Sequence, residues 1–171
     1  MFILLILFSF VDTHGQKIQD EFFGCSFGST MNSMKNAMDK RGYYTSKEDE
    51  TSMMAYKVKF GGFEWDIVYF SYIYNQLYSV NLSMHYKDKS DALDMYKKIR
   101  MKLNAKYKDI SYEEKTDLGV YDFMASDDVR SVFLSIEYSR SKGGDMYYYI
   151  DAGYYDKYYW NKAIQKNDDE F

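Results

Sequence analysis

The chain contains no proline. It therefore has no X-Pro turn, no rigid proline-rich linker and no slow prolyl isomerisation. Cysteine is nearly absent: Cys25 stands alone. One thiol cannot form an internal disulfide, and a four-cysteine zinc site is excluded. Its setting, Phe22-Phe23-Gly24-Cys25-Ser26-Phe27, is aromatic and reads as a buried, inert thiol. Histidine is scarce too, occurring only at His14 and His85. A cysteine or serine nucleophile would have few bases to choose from. Neither sign of charge dominates: 22 basic and 26 acidic residues leave a net charge of -4. The signs are interspersed, with no basic stripe. Nucleic acid normally requires a positive footprint, so it is not expected as a partner.

A long apolar run occurs only at the start, where Met1–Val11 reads MFILLILFSFV. It is shorter than the roughly 20 residues that cross a bilayer, so no transmembrane span is expected. It fits the apolar region of a secretory signal peptide. No Lys or Arg precedes it, and Thr13 and Gly15 are the small residues near its end. No cysteine follows closely enough to carry a lipid. The reading is a signal peptide over residues 1–15, a single domain over 16–171, and a periplasmic or secreted location. A buried N-terminal strand is the alternative. Without disulfides, such a protein depends on its core alone.

Aromatic residues are plentiful, at 20% of the chain, including 20 tyrosines. They favour strands. Two stretches follow one plan, an amphipathic helix and then three amphipathic strands. They span about 22–86 and 90–155, and a polar tail covers 157–171. The first helix is expected over Thr30 to Arg41, with Met31, Met34, Ala37 and Met38 as its apolar stripe. Gly42 is placed to end it. Strands follow over Met54–Phe60 and Phe63–Tyr74, joined by a Gly61-Gly62 hairpin. That turn opposes Phe60 with Phe63, Lys59 with Glu64, Val58 with Trp65 and Lys57 with Asp66. Asn75-Gln76 is read as the next turn, which opposes Leu82 with Tyr69, Met84 with Ile67 and His85 with Asp66. This register puts Val68, Phe70 and Tyr72 on the face away from the core.

The second helix is expected from Asp91 to about Tyr107, capped by Ser90. Leu93, Tyr96, Ile99, Leu103 and Tyr107 form its buried stripe. Lys97, Lys98, Arg100 and Lys102 crowd its later half. A solvated helix face is the ordinary reading, and contact with an anionic surface is the alternative. Residues 108–117 read as a polar connection, followed by a strand over Leu118–Met124. The last two strands bury Val132, Leu134, Ile136 and Tyr138, and Met146, Tyr148, Ile150, Ala152 and Tyr154. A three-residue turn, Lys142-Gly143-Gly144, keeps both apolar sets on one face. Units of this size cannot bury their apolar faces alone. The predicted fold is therefore α+β: an antiparallel meander of about six strands, or two three-stranded sheets side by side, with two helices on one face.

Chemical motifs are few. Asp66, His85 and Ser83 share the polar face and are the residues a small hydrolase would use. Glu64 and Asp66 have a spacing suited to glycoside hydrolysis, but Lys59 and Lys57 already oppose them. No calcium-loop rhythm, P-loop or dinucleotide fingerprint is present, and no cofactor or metal is expected. What remains is an aromatic face: Phe70, Tyr72, Tyr147, Tyr149 and Tyr155, with Val68 and Phe133 nearby. Exposed tyrosines bind sugars by stacking and proteins by rigid amphipathic contact. The expected function is a non-enzymatic module that binds a protein or envelope component. A hydrolase using Asp66, His85 and Ser83 and a purely structural envelope protein are the alternatives.

The segment Phe23-Gly24-Cys25-Ser26-Phe27-Gly28-Ser29-Thr30, followed by a helix and a Tyr/Phe-rich meander, resembles a group of small secreted bacterial proteins of unknown function. Their architecture is similar to the helix-on-sheet units of beta-lactamase inhibitory proteins. It is more remotely similar to the lipoprotein subunit of the outer-membrane assembly machinery. The resemblance covers about residues 22–107. The chain lacks the inhibitors' disulfides and the assembly subunit's lipid-bearing cysteine, so no functional residue carries over. The resemblance implies a binding role without catalysis.

The location is open to direct measurement. Mass spectrometry of the mature protein is expected to find it in the periplasm or medium, without its first 15 or so residues. An intact Met1 in the cytoplasm would refute the assignment.

Overall fold

The computed structural model describes residues 17–108, 110–115 and 121–169. The signal-peptide assignment and the expected strand start at Leu118 lie outside these residues. The described chain is α+β. A small hairpin, β1 (Glu21–Phe22) and β2 (Cys25–Ser26), precedes α1 (Met31–Asp39). Then come β3 (Thr45–Lys47), β4 (Ser52–Phe60), β5 (Phe63–Ile73) and β6 (Gln76–Tyr86). The second half repeats the plan with α2 (Lys89–Tyr107), β7 (Ser111–Lys115), β8 (Tyr121–Ser126), β9 (Arg130–Arg140) and β10 (Met146–Asp156). A third helix, α3 (Lys157–Asp169), closes it. Among the described residues no helix is long and apolar enough to cross a membrane.

Eight strands form one antiparallel sheet in the order β3-β4-β5-β6-β10-β9-β8-β7. Each half therefore contributes four strands rather than three. The additions, β3 and β7, are the sheet edges. Both are short and polar, which is how natural edges avoid pairing with other chains, and is why an apolar alternation did not announce them. The halves meet where β6 pairs with β10, from Tyr86↔Tyr148 to Ser79↔Tyr155.

The helices form where local chemistry supports them. The Thr30 hydroxyl accepts the Ser33 amide N–H at 3.3 Å and starts α1. Gly42 follows its end at φ +77°, a conformation that suits glycine. Met34 and Met38 are fully buried. Helix α2 is capped by Asp88 instead of Ser90: its carboxylate accepts from the amides of Ser90 at 2.7 Å and Asp91 at 3.0 Å. Ala92, Tyr96, Ile99, Leu103 and Tyr107 are its buried stripe. Both helices share one core with the sheet. Phe22, from the first hairpin, sits in that core with ring centroids 5.4 Å from Phe27, 5.6 Å from Phe60 and 5.1 Å from Tyr154. Cys25 is buried in the same core cluster.

The β5–β6 register differs from expectation, with large consequences. The turn lies one residue earlier: Ile73 pairs with Gln76, and Tyr74 and Asn75 take φ values of +50° and +58°. Pairing then passes from Tyr72↔Leu77 to Ser71↔Ser79, leaving Tyr78 as an extra residue. Beyond this bulge Leu82 opposes Val68, not Tyr69. Side chains alternate with period two, so an offset of one inverts the faces. Val68, Phe70 and Tyr72 are core residues, at 0%, 0% and 2% exposure. Tyr69 points outward and is 38% exposed.

The β4–β5 hairpin keeps its expected register, with Phe60↔Phe63 and Val58↔Trp65. Its buried face switches partway along. Trp65 and Val58 are core, yet so are Val68 and Ala55. The switch falls at Lys57, whose φ is +53°, opposite Asp66. There the Asp66 carboxylate accepts the His85 backbone N–H at 2.8 Å. Lys57 bonds its other oxygen. A side chain thus supplies an acceptor beside the point where the two strands turn over.

The β9–β10 register is as expected, with Tyr138↔Tyr148 and Ile136↔Ile150. Burial fades toward the Lys142–Gly144 turn. Ile136 and Ile150 are core, Tyr148 is half-buried, and Tyr138 is 54% exposed. The segment read as a polar tail is α3. Asp156 starts it by accepting the amides of Tyr158 and Tyr159 at 3.1 and 3.3 Å. Its Trp160 packs on Tyr155 and Tyr78, at centroid distances of 5.2 and 5.9 Å. Tyr154 faces the core, so its neighbour Tyr155 and the helix above it lie on the opposite face.

Gly153 shows how closely that face is packed. A Cβ built there would lie 2.1 Å from a Phe133 ring atom and 2.4 Å from Asn81 Oδ1. Gly153→Ala is expected to displace the Phe133 ring and to lose about 1–3 kcal/mol of stability by chemical denaturation.

Candidate functional site on the outer sheet face

The face away from α1 and α2 is ordered in cross-strand rows. One row runs Tyr56, Ile67, Ser83, Asp151, Ser135. The next runs Met54, Tyr69, Asn81, Gly153, Phe133. In each, the central strands β6 and β10 carry small or short polar residues, with larger aromatic or apolar groups on the β4–β5 side and, in the second row, Phe133 on the β9 side. The result is a floor of hydroxyl, amide and carboxylate groups between aromatic flanks. On one side Tyr44, 72% exposed, lies 5.9 Å from Tyr56. Partial desolvation, then the nearby Glu48, Tyr69 and Tyr44, raise the Tyr56 phenol above its ordinary pKa.

A further row brings His85 beside Tyr149, which in turn faces Glu137. The His85 and Tyr149 rings meet edge to face at 5.0 Å. The Tyr149 hydroxyl accepts from Ser139 at 3.2 Å. Asp66 Oδ2 is 3.4 Å from His85 Nδ1. Burial works to raise the Asp66 carboxyl, but hydrogen bonds from Lys57 and the His85 amide outweigh it and hold it below the usual range.

Of the five residues predicted for the surface, Tyr147 and Tyr149 lie on the outer face, half-exposed. Tyr155 is also on that face, but Trp160 packs against it. Phe70 and Tyr72 are inside the core, because the register offset inverted their strand. Tyr44, Tyr56 and Tyr69 were missed, and they take the place of that buried pair. No local signal marks them: Ile67, Val68, Tyr69 and Phe70 are all apolar or aromatic, so period-two alternation fits either face of this strand.

The three residues of the hydrolase alternative lie near one another but are engaged separately. Ser83 is buried and stands opposite Asp151 across the β6–β10 pair. His85 faces Asp66 and Tyr149. Among the described residues no hydrogen bond joins Ser83 to His85, so the nucleophile–base contact of a triad is not formed. No group of three or more potential metal ligands occurs among the described residues.

Asp151 is the strained group of this floor. Burial raises its carboxyl above the ordinary range, and Glu137 adds to the shift, while Ser83 and His85 oppose it. A raised native pKa means that the folded form holds the proton more tightly than the unfolded chain. Its contribution favours folding at low pH and is lost as pH rises through the raised value. Asp151→Asn is expected to raise the Tm at about pH 7, with the gain disappearing at about pH 3. Thermal melts across that range measure it.

No protein-family profile matches this chain, and no curated protein or solved structure resembles it at a significant level.

Proposed function

We propose that the protein is a secreted or periplasmic binding module that contacts a protein or envelope component and catalyses no reaction of its own. The observation that carries this reading is the outer sheet face, where short polar side chains lie between the Tyr44, Tyr56, Tyr69 cluster and the Tyr147, Tyr149 pair. Tyrosine supplies large, rigid contact area at low entropic cost, and interfaces concentrate it for that reason. Short floor residues let a partner approach the backbone. Serine and asparagine supply adaptable hydrogen bonds. The unformed Ser83–His85 contact favours binding over hydrolysis as the use of this face. The resemblance to inhibitor-like helix-on-sheet units points the same way.

The test uses immobilised protein and envelope extract, with bound components identified by mass spectrometry. A Tyr56→Ala, Tyr69→Ala double variant and a Tyr149→Ala variant are expected to lose the partner while their melting stays close to that of the parent. Phe70→Ala and Tyr72→Ala are expected to cost about 3–5 kcal/mol of stability, as large core truncations do. Retention of the partner by the folded outer-face variants would refute the proposal.

A further inference from the structure

A second candidate site lies on the opposite side of the sheet and does not depend on the outer-face reading. Between α2 and the β4–β5 hairpin is a cavity of about 320 Å³. That is at the lower end of the range of small-molecule sites, about 300–1,000 Å³. Phe60, Phe63, Trp65, Leu82, Ile99 and Leu103 wall it. The Trp65 indole N–H is already spent on the Phe60 carbonyl, at 3.1 Å. The walls are therefore mostly apolar, with Tyr154 and Gln19 adding polar groups.

Its rim is cationic. Lys102 and Lys106, one turn apart on α2, line the opening and are both exposed. Among the described residues the lining contains no carboxylate. Lys102 Nζ lies 3.3 Å from the Gly61 carbonyl and 4.6 Å from the Phe63 ring centre. Among the described residues no carboxylate forms an ion pair with it. Lys106 Nζ donates to Gln19 Oε1 at 2.9 Å. Elsewhere on the same helix Lys97 pairs with Asp94 and Arg100 with Glu113. In a chain of net charge -4, two ammonium groups set over an apolar chamber are a selective arrangement.

We propose that this cavity binds a single-chain amphiphile with an anionic head. The alkyl chain lies against Phe60, Trp65, Leu82 and Leu103, and the head meets Lys102 and Lys106. Each part meets matching chemistry: the chain leaves water for an apolar wall, and the head gains charge-assisted hydrogen bonds.

Trp65 is a reporter built into the wall. The chain has two tryptophans, and Trp160 is on the other face, so a Trp160→Phe protein reads the cavity alone. The probes are a terminally brominated undecanoate, which quenches tryptophan on contact, and the corresponding uncharged alcohol, both below micellar concentration. The carboxylate is expected to quench Trp65 saturably and to bind about tenfold more tightly than the alcohol, the scale of one charge-assisted contact. In the same background Lys102→Gln with Lys106→Gln is expected to abolish that preference without changing the circular dichroism. Vesicles of anionic phospholipid with brominated chains form the other arm, because a bilayer would supply the same chemistry. No saturable quenching by the monomer, a preference that survives loss of both lysines, or quenching by vesicles alone would each overturn the proposal.

Discussion

The antiparallel pairing of β6 with β10 is the constraint on which the rest depends. Each half ends its meander in a long strand, and these two strands pair along most of their length. The seam merges two four-stranded units into one sheet. It also aligns Leu82 with Ala152 and Met84 with Ile150 on the core side. Either half alone would leave the apolar residues of its seam strand without these neighbours. Joined, the halves allow α1 and α2 to bury their stripes in one continuous core. The same seam brings Ser83 beside Asp151 and His85 beside Tyr149 on the outer face, so the candidate surface is a product of assembly.

The change of face at Lys57 and Asp66 is the second organising feature. Below it Phe63 and Trp65 point to the α2 side; beyond it Val68, Phe70 and Tyr72 do. A strand changes face only where its alternation is broken. Here a left-handed Lys57 breaks it, and the Asp66 carboxylate provides hydrogen bonds to the neighbouring strand. The arrangement occupies Asp66 structurally. The same carboxylate holds the His85 backbone and Lys57 and lies 3.4 Å from His85 Nδ1.

The two faces of the sheet offer different chemistry. The outer face has open tyrosines over a short polar floor. The inner side has a chamber at the hairpin end with lysines at its rim. Helix α3 contributes to the division by packing Trp160 on Tyr155 and Tyr78. It thereby covers one end of the outer face and leaves Tyr147 and Tyr149 beyond it.

Local signals in the sequence determined much of this protein. The methionine stripe, Gly42, the Gly61-Gly62 hairpin and the Lys142–Gly144 turn each act over a few residues, and each was legible. The α2 stripe was legible because its burial follows helical spacing over about four turns, with Ala92 rather than Leu93 as its first buried residue. Tyr147 and Tyr149 were placed correctly because a tight turn sets their register. Tertiary structure decided what depends on long-range pairing. The Tyr74-Asn75 turn, the Tyr78 bulge and the switch at Lys57 each move the register or the face by one position. A period-two pattern amplifies such a step into a complete exchange of core and surface. Phe70 and Tyr72 went inside for that reason, and Tyr69 came out. The edge strands were hidden because their short, polar composition has no strong period of its own; contact with the finished sheet selects their structure. The cavity is a tertiary property entirely, since Trp65, Leu82, Leu103 and Ala152 meet only once the strands and helix have assembled.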